Sequence, residues 1–295
     1  MKTWSTPVCS EKSGLIPCVC GSLTFKPALE CEGFNFVRCV KCGLVQMNPQ
    51  PVKEEIIARY NRTFAEDYLS YELENEAAFL KLQLLALQDA RFDKLEKELF
   101  SRAENEDSAC KQPTVLDIGC ATGALLAHLK SRGWRVTGVE ISPGAEYAQK
   151  ERNLDVRNLP LEENNFPSCS FDVVLASHLI EHLNEPRFFL TEACRVLKDN
   201  GYIFITTPNI SGFQACLYGS RWRSAIFDHL YLFSKRTLSD LLKSAGFKVE
   251  NCRTWGGLAF GMAPPWIKKP ADFLAKRLGT GDVMIIRARK KTNQK

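Results

Sequence analysis

The stretch Val115-Leu116-Asp117-Ile118-Gly119-Cys120-Ala121-Thr122-Gly123 decides how this chain is read. An apolar run carries an acid near its end, turns through two glycines and opens into a helical pattern. Glycine lets backbone approach a ligand closely, and the start of a helix offers free N–H groups. Dinucleotide sites use the same device with a tight Gly-x-Gly-x-x-Gly triad. Here the spacing is Asp-x-Gly-x-x-x-Gly, which suits a ligand bearing an amino group or a cationic centre. Glu140 lies 23 residues beyond Asp117 and ends the next apolar run, Val136-Thr137-Gly138-Val139. An acid there can take both hydroxyls of a ribose.

Outward from the loop, strands alternate with helices, the pattern of a parallel α/β sheet. Strands are predicted at 114–118, 136–141, 155–157, 171–176, 202–206, 247–252 and 283–288, with helices at 124–131, 144–151, 186–198 and 235–245. Ser234 and Gly246 bracket the last helix as cap and stop. Pro186 near the start of the third, with Asn200-Gly201 past its end, shows the expected asymmetry. Residues 52–112 carry apolar side chains at helical spacing, Phe79 to Leu87 and then Phe92, Leu95 and Leu99, and read as a helical cap. The domain reading is 1–51, a cysteine-rich module; 52–112, the cap; 113–290, the α/β domain; and 291–295, a basic tail.

Several motifs in order make this sequence resemble the class I S-adenosylmethionine-dependent methyltransferases, in the subgroup of ubiquinone-type and sugar or small-molecule enzymes. They are Val115–Gly123, Gly138–Ser142, Ser170–Val174, His178–Leu183, Arg195–Gly201, Thr206–Asn209, Asp228–Ser234 and Ala245–Phe247. The resemblance covers roughly residues 113–290. It implies a Rossmann-like seven-stranded sheet, mostly parallel with the last strand antiparallel. It also implies S-adenosyl-L-methionine as cofactor. Gly119, Cys120 and Gly123 then line its methionine moiety, Asp117 organises the loop, Glu140 binds the ribose with Ile141 beside it, and His178 lies near it. Leu161 and Glu162 flank the adenine, although Asn158-Leu159-Pro160-Leu161-Glu162 lacks the common Gly-Asp.

The chain has 12 cysteines among 295 residues, and six of them fall in the first 42: Cys9, Cys18, Cys20, Cys31, Cys39 and Cys42. So loop-rich a segment buries little core, and a metal staple supplies what packing cannot. Cys18-Val19-Cys20-Gly21 and Cys39-Val40-Lys41-Cys42-Gly43 form two knuckles separated by 18 residues, matching the four thiolates that zinc takes. The segment resembles the zinc-binding module found ahead of some of these methyltransferases and is expected to be zinc-ribbon-like. The expected ligands are Cys18, Cys20, Cys39 and Cys42. The first knuckle is Cys-x-Cys, with Pro17 where the usual first thiolate stands, so Cys31 or Cys9 remains open as a replacement for Cys18. Free, redox-labile thiols are the alternative to zinc.

Lys and Arg total 39 against 34 Asp and Glu, a formal charge of +5 that does not by itself call for nucleic acid. The fourth strand ends Ala176-Ser177-His178. It lacks both the Asn/Asp-Pro-Pro-Tyr/Phe that grips an exocyclic base nitrogen and the Pro-Cys of cytosine methylation. The favoured reading is therefore transfer to a small-molecule, glycan or lipid-linked acceptor, at oxygen. A zinc-module RNA methyltransferase and a non-catalytic binding protein are the alternatives. His229, in the insert 209–233 with Phe213, Trp222, Phe227 and Tyr231, is expected to act as general base beneath a lid, with His178 as the second catalytic candidate. The segment 255–278 reads as an amphipathic lid, a peripheral membrane contact, or simple packing beside the last hairpin. The longest apolar runs are far short of the roughly 20 residues that span a bilayer, and the first residues show no signal-peptide pattern. A cytoplasmic location is expected.

Overall fold

The computed structural model describes residues 15–52, 54–56, 65–105, 112–257 and 264–292. Cys9 and most of the basic tail lie outside them. In chain order the elements are β1 (Phe25–Cys31), β2 (Phe34–Cys39), β3 (Val45–Met47), α1 (Ala65–Asp89), α2 (Phe92–Asn105), β4 (Thr114–Ile118), α3 (Ala124–Ser131) and β5 (Arg135–Val139). There follow α4 (Gly144–Arg152), β6 (Val156–Arg157), β7 (Phe171–Ser177), α5 (Pro186–Val196), β8 (Leu197–Pro208), α6 (Phe213–Tyr218) and β9 (Tyr231–Leu232). The chain closes with α7 (Lys235–Ser244), β10 (Phe247–Trp255), α8 (Pro265–Leu278) and β11 (Val283–Lys290).

Seven strands form the main sheet in the order β10-β11-β8-β7-β4-β5-β6. β11 runs antiparallel to both its neighbours, while the β4, β5, β6, β7 and β8 pairs are parallel. A sheet covered on both faces needs apolar residues at every position, and β4 is buried along its whole length. The period of two then divides the core. Leu116, Ile118, Val174, Ala176, Ile203, Ile205, Met284 and Ile286 face one cluster, while Val115, Val173, Leu175, Phe204 and Ile285 face the other. The second face is closed by α1, α2 and α3, with Phe92 stacked on Trp134 at 5.5 Å. Trp134 Nε1 donates to the buried carboxylate of Glu96 at 2.8 Å.

The boundaries expected for the α/β domain fall within three residues of the observed ones except at the start of β8. α5 stops at Val196 instead of 198, because Leu197 turns extended and pairs with Phe171. Strand β8 consequently starts at Leu197 and absorbs Asn200 (φ 61°) and Gly201 as a bend. Ser234 caps α7 in a full capping box with Thr237, as its sequence indicates.

The N-terminal cysteine-rich segment does not stand apart. It forms a four-stranded sheet in the order β1-β2-β3-β9, whose last strand comes from the insert after β8. Val45 pairs with Leu232 and Gln46 with Tyr231. Met47 N donates to Leu230 O at 2.8 Å, and Phe34 meets Phe227 edge-on at 5.6 Å. Cys18, Phe36, Cys39 and Met47 share one apolar cluster with Ile180, Leu190 and Phe233 of the larger unit. The sequence boundary at residue 51 is thus bridged by backbone pairing and by a common core.

The insert itself is stapled to the main sheet. Trp222 is buried, and its Nε1 donates to the fully buried Asp282, whose other oxygen takes Nε of Arg223 at 2.5 Å. Removing the indole leaves both a cavity and a buried carboxylate short of a donor. Trp222→Ala should therefore cost about 3–5 kcal/mol in urea denaturation, and a loss below 1 kcal/mol would contradict this packing.

Candidate active site

The loop after β4 is shaped by the strand beside it. Gly119 N and Cys120 N both donate to Val139 O, at 2.8 and 3.2 Å. The Glu140 carboxylate then takes Ala121 N on Oε2 at 2.9 Å and Ser142 N on Oε1 at 2.8 Å. This acid holds Ala121 at φ 48°, a left-handed conformation that an L side chain resists. Gly123 has φ 76°, and a Cβ there would stand 2.7 Å from Leu154 Cδ1 and 3.0 Å from Ala148 Cβ. Glycine is required at that point so that α4 can pack on the loop. Cys120 is buried against Gly138, and burial, with the charges of Asp117 and Glu140, drives its thiol well above the usual range. Its side chain packs in an apolar cluster with Leu126, Ala148 and Val156.

Asp117 is buried, and its carboxylate takes no hydrogen bond from the described residues. Burial, reinforced by the charge of Glu140, pushes it up to about 7. Ile141 is half-buried just beyond β5, Leu161 is buried in a one-turn helix at 161–163, and Glu162 is exposed. Sequence reading missed two residues nearby. Glu76, on α1, accepts from Thr122 Oγ1 at 2.6 Å and from Arg152 Nη2 at 2.6 Å, so α1 is fastened to the glycine loop. Asn158 Nδ2 donates to Ser142 O at 3.3 Å and ties the end of β6 to the same region.

Beyond β7 stands a cluster of three histidines around one acid. His178 has φ 51° and an exposed side chain, and its backbone N donates to Thr206 O at 2.8 Å. Its Nδ1 lies 3.3 Å from Glu181 Oε1. Glu181 is wholly buried and takes Thr207 Oγ1 on Oε2 at 2.9 Å. Burial alone would raise this acid, but the bond from His178 and the nearby histidines outweigh it and hold it at about 2. Sequence reading placed Glu181 in a motif and gave it no role, since nothing in a linear pattern shows that its carboxylate turns inward.

His182 Nδ1 donates to Asp228 O and His229 Nδ1 to Ser224 O, each at 2.8 Å, and the two rings meet edge-on at 4.8 Å. His229 is expected to face an acceptor as a base, but its imidazole is turned inward, onto the backbone of the insert. It is only 7% exposed, and burial followed by the neighbouring His182 lowers it to about 4. A neutral, enclosed imidazole bonded to a backbone carbonyl braces the insert. Trp222 and Tyr231 are likewise buried, so those two aromatics join the insert to the core and leave Phe213 at the surface.

The two knuckles bring four sulfurs together. Cys18 and Cys42 Sγ are 3.4 Å apart, Cys20 and Cys39 Sγ 3.6 Å, and all four lie within 4.8 Å of one another. Each knuckle is a tight turn closed by glycine, with Gly21 at φ 82° and Gly43 at φ 78°. Burial opposes the Cys39 thiolate, but the Cys42 backbone N–H and the neighbouring thiols bring it down to about 6. Cys31 is no substitute for Cys18, since its thiol points to the carbonyls of Ser220 and Ala225 at 3.9 and 4.0 Å.

A glycine loop between a parallel strand and a helix, an acid at the end of the next strand and one reversed strand define the class I methyltransferase architecture. Residues 77–251 match the methyltransferase-domain family, and the chain belongs to it. It is 33% identical over 147 residues to the ubiquinone biosynthesis O-methyltransferase of Caulobacter vibrioides, covering 45% of this chain and 50% of that one. With the mitochondrial enzyme of that name from Rattus norvegicus it shares 31% over 139 residues, 43% of this chain and 40% of that one. The chain spans about half the length of the curated relatives it matches. Among solved structures, an S-adenosylmethionine-dependent methyltransferase of Thermotoga maritima superposes with a TM-score of 0.54 at 23% identity, over 80% of this chain and 99% of that one, a likeness of fold.

Proposed function

We propose that this protein transfers a methyl group from S-adenosyl-L-methionine to a hydroxyl of a small-molecule, glycan or lipid-linked acceptor. The observation that carries the oxygen chemistry is the His178–Glu181 pair, an exposed imidazole backed by a fully buried carboxylate at the end of β7. The family match and the ubiquinone-type relatives support the donor and the small-molecule class.

The residues present fit the donor. Asp117 offers a buried carboxylate without a protein donor, suited to an ammonium group, and its charge repels Glu140 until a cation arrives. Each Glu140 oxygen accepts one backbone N–H and keeps a second lone pair for ribose hydroxyls. Gly119, Cys120, Gly123 and Ile141 complete the loop side, with Leu161 and Glu162 on the adenine side. When bound, the donor supplies an electrophilic methyl on a sulfonium.

The chain's own contribution on the acceptor side is a proton path. Glu181 holds the proton of His178 on Nδ1, which leaves Nε2 with its lone pair toward the opening. Nε2 receives the hydroxyl proton as oxygen attacks, and the buried carboxylate stabilises the imidazolium. Glu181 is thus a positioning residue and His178 the catalytic one.

The cysteine cluster is read as a zinc site with Cys18, Cys20, Cys39 and Cys42 as ligands. A tetrahedral ion with Zn–S of about 2.3 Å places sulfurs ~3.8 Å apart, and the closest pairs stand at 3.4 and 3.6 Å. Bound metal would fix both knuckles and, through β3, the strand β9.

Three outcomes test this reading. Calorimetry should show S-adenosylhomocysteine binding that strengthens with pH, approaching tenfold per unit below about pH 7 and flat above it. The sign follows from Asp117, held near 7 against about 3.9 in an unfolded chain. The free protein gives up stability as pH rises between those values, and a bound ammonium restores it by favouring the ionised acid. Asp117→Asn should flatten that dependence; a profile unchanged in the variant, or NAD binding in place of the homocysteine product, would overturn the assignment. His178→Ala should lower turnover about 10²–10⁴-fold while leaving product affinity within twofold, and wild-type turnover would remove its role as base. Elemental analysis should find one zinc per chain, lost in Cys39→Ser together with near-ultraviolet circular dichroism from the N-terminal sheet. A metal-free protein with its spectrum intact would exclude the site.

A further inference from the structure

Helix α8 joins β10 to β11 and is attached along one side only. Ala275 is buried, and its carbonyl accepts from Thr254 Oγ1 at 3.3 Å. Asp272 takes Gly257 N on one oxygen and Lys268 Nζ on the other, each at 2.8 Å. Lys276 reaches Asp89 of α1 at 2.6 Å. The other side is apolar and open: Trp266, Phe273, Leu274 and Leu278 are between 53% and 74% exposed. At 100° per residue these four occupy an arc of about 140°. Arg277 falls inside that arc, whereas Lys276 lies about 60° outside it, toward the attached side.

Neighbouring elements carry more exposed apolar side chains. Phe213 and Leu217 on α6 are half exposed, and Phe213 N donates to Thr280 O at 2.8 Å, just past the end of α8. Leu82 and Leu85 on α1 are half exposed and lie on the side of that helix that carries Asp89.

We propose that α8 is an interfacial helix that seats this face of the protein on an anionic lipid surface. Arg277 distinguishes a lipid surface from a protein partner. At a lipid interface a guanidinium among apolar side chains extends to a phosphate headgroup, and an indole sits at headgroup depth. In a protein interface the same Arg would be buried and would need an acid. A second copy of this helix offers none, because Asp272 is its one acid and is already committed to Gly257 and Lys268. Arg277 has no ion partner among the described residues, and the chain's net charge of +5 favours the same surface. The helix leads into Val283, which pairs with Pro208 at the end of β8, so the lipid lies at the edge of the sheet where His178 follows β7. The proposal does not depend on the methyl-transfer reading.

Sedimentation of the full chain with vesicles tests it. Binding is expected to vesicles of phosphatidylcholine with phosphatidylglycerol, to fall with added salt, and to be at least tenfold weaker with phosphatidylcholine alone. Arg277→Ala should lose about fivefold, and Trp266→Asp with Phe273→Asp at least tenfold, with far-ultraviolet circular dichroism unchanged because both side chains are exposed. Absence of binding to anionic vesicles, or equal binding by the double variant, would overturn the proposal. A concentration-dependent dimer that the double variant breaks, without lipid binding, would assign the face to a second copy instead.

Discussion

The Glu140 carboxylate is the interaction on which the site depends. Two neighbouring strands end side by side, and their loops must diverge without leaving buried N–H groups unpaired. One acid solves this by taking Ala121 N on one oxygen and Ser142 N on the other. Each such bond to a charged acceptor contributes roughly 1.5–3 kcal/mol, which offsets the left-handed backbone at Ala121. Each oxygen keeps a second lone pair, so under the proposed function loop architecture and ligand recognition would share one side chain.

The buried acids differ in how their charge is met. Glu96, Glu181 and Asp282 are all enclosed, and each is matched by donors: Arg132 and Trp134 for the first, His178 and Thr207 for the second, Trp222 and Arg223 for the third. An enclosed charge is tolerated when its lone pairs are met. Asp117 is the contrast, buried at a strand end with a neighbouring carboxylate and no donor among the described residues. Such an imbalance costs stability in the free protein, and under the proposed function a bound cation would recover it.

Glu181 also ties the N-terminal sheet to the segment that follows β7. Its backbone O accepts Leu230 N at 2.8 Å, and Leu230 O accepts Met47 N at 2.8 Å and Gln50 Nε2 at 3.3 Å. Hydrogen bonds therefore run from β3, next to the four cysteines, to the backbone of Glu181, whose carboxylate lies 3.3 Å from His178 Nδ1. Tyr231 hydroxyl adds a donor to Asn184 O at 3.1 Å on the same path. The cysteine-rich segment thus forms part of the wall behind the acid.

By itself the sequence determined whatever depends on neighbours in the chain. The glycines of 119–123 and the cap at Ser234 are local demands of backbone geometry, and the apolar runs of β4 and β7 announce strands buried on both faces. The knuckles at Cys18–Cys20 and Cys39–Cys42 are legible for the same reason, since each is a turn closed by its own glycine. Tertiary structure decided what depends on residues far apart. Whether His229 or His178 faces outward follows from a carbonyl five residues away and from packing against His182, neither of which has a periodicity. Glu181, Glu76 and Asp282 read as ordinary acids until their partners, up to 76 residues distant, come into place. The pairing of β3 with β9 joins segments whose sequence separation no local pattern encodes. Short-range sterics are written in the order of residues, whereas the direction of a side chain is settled only when the elements around it have packed.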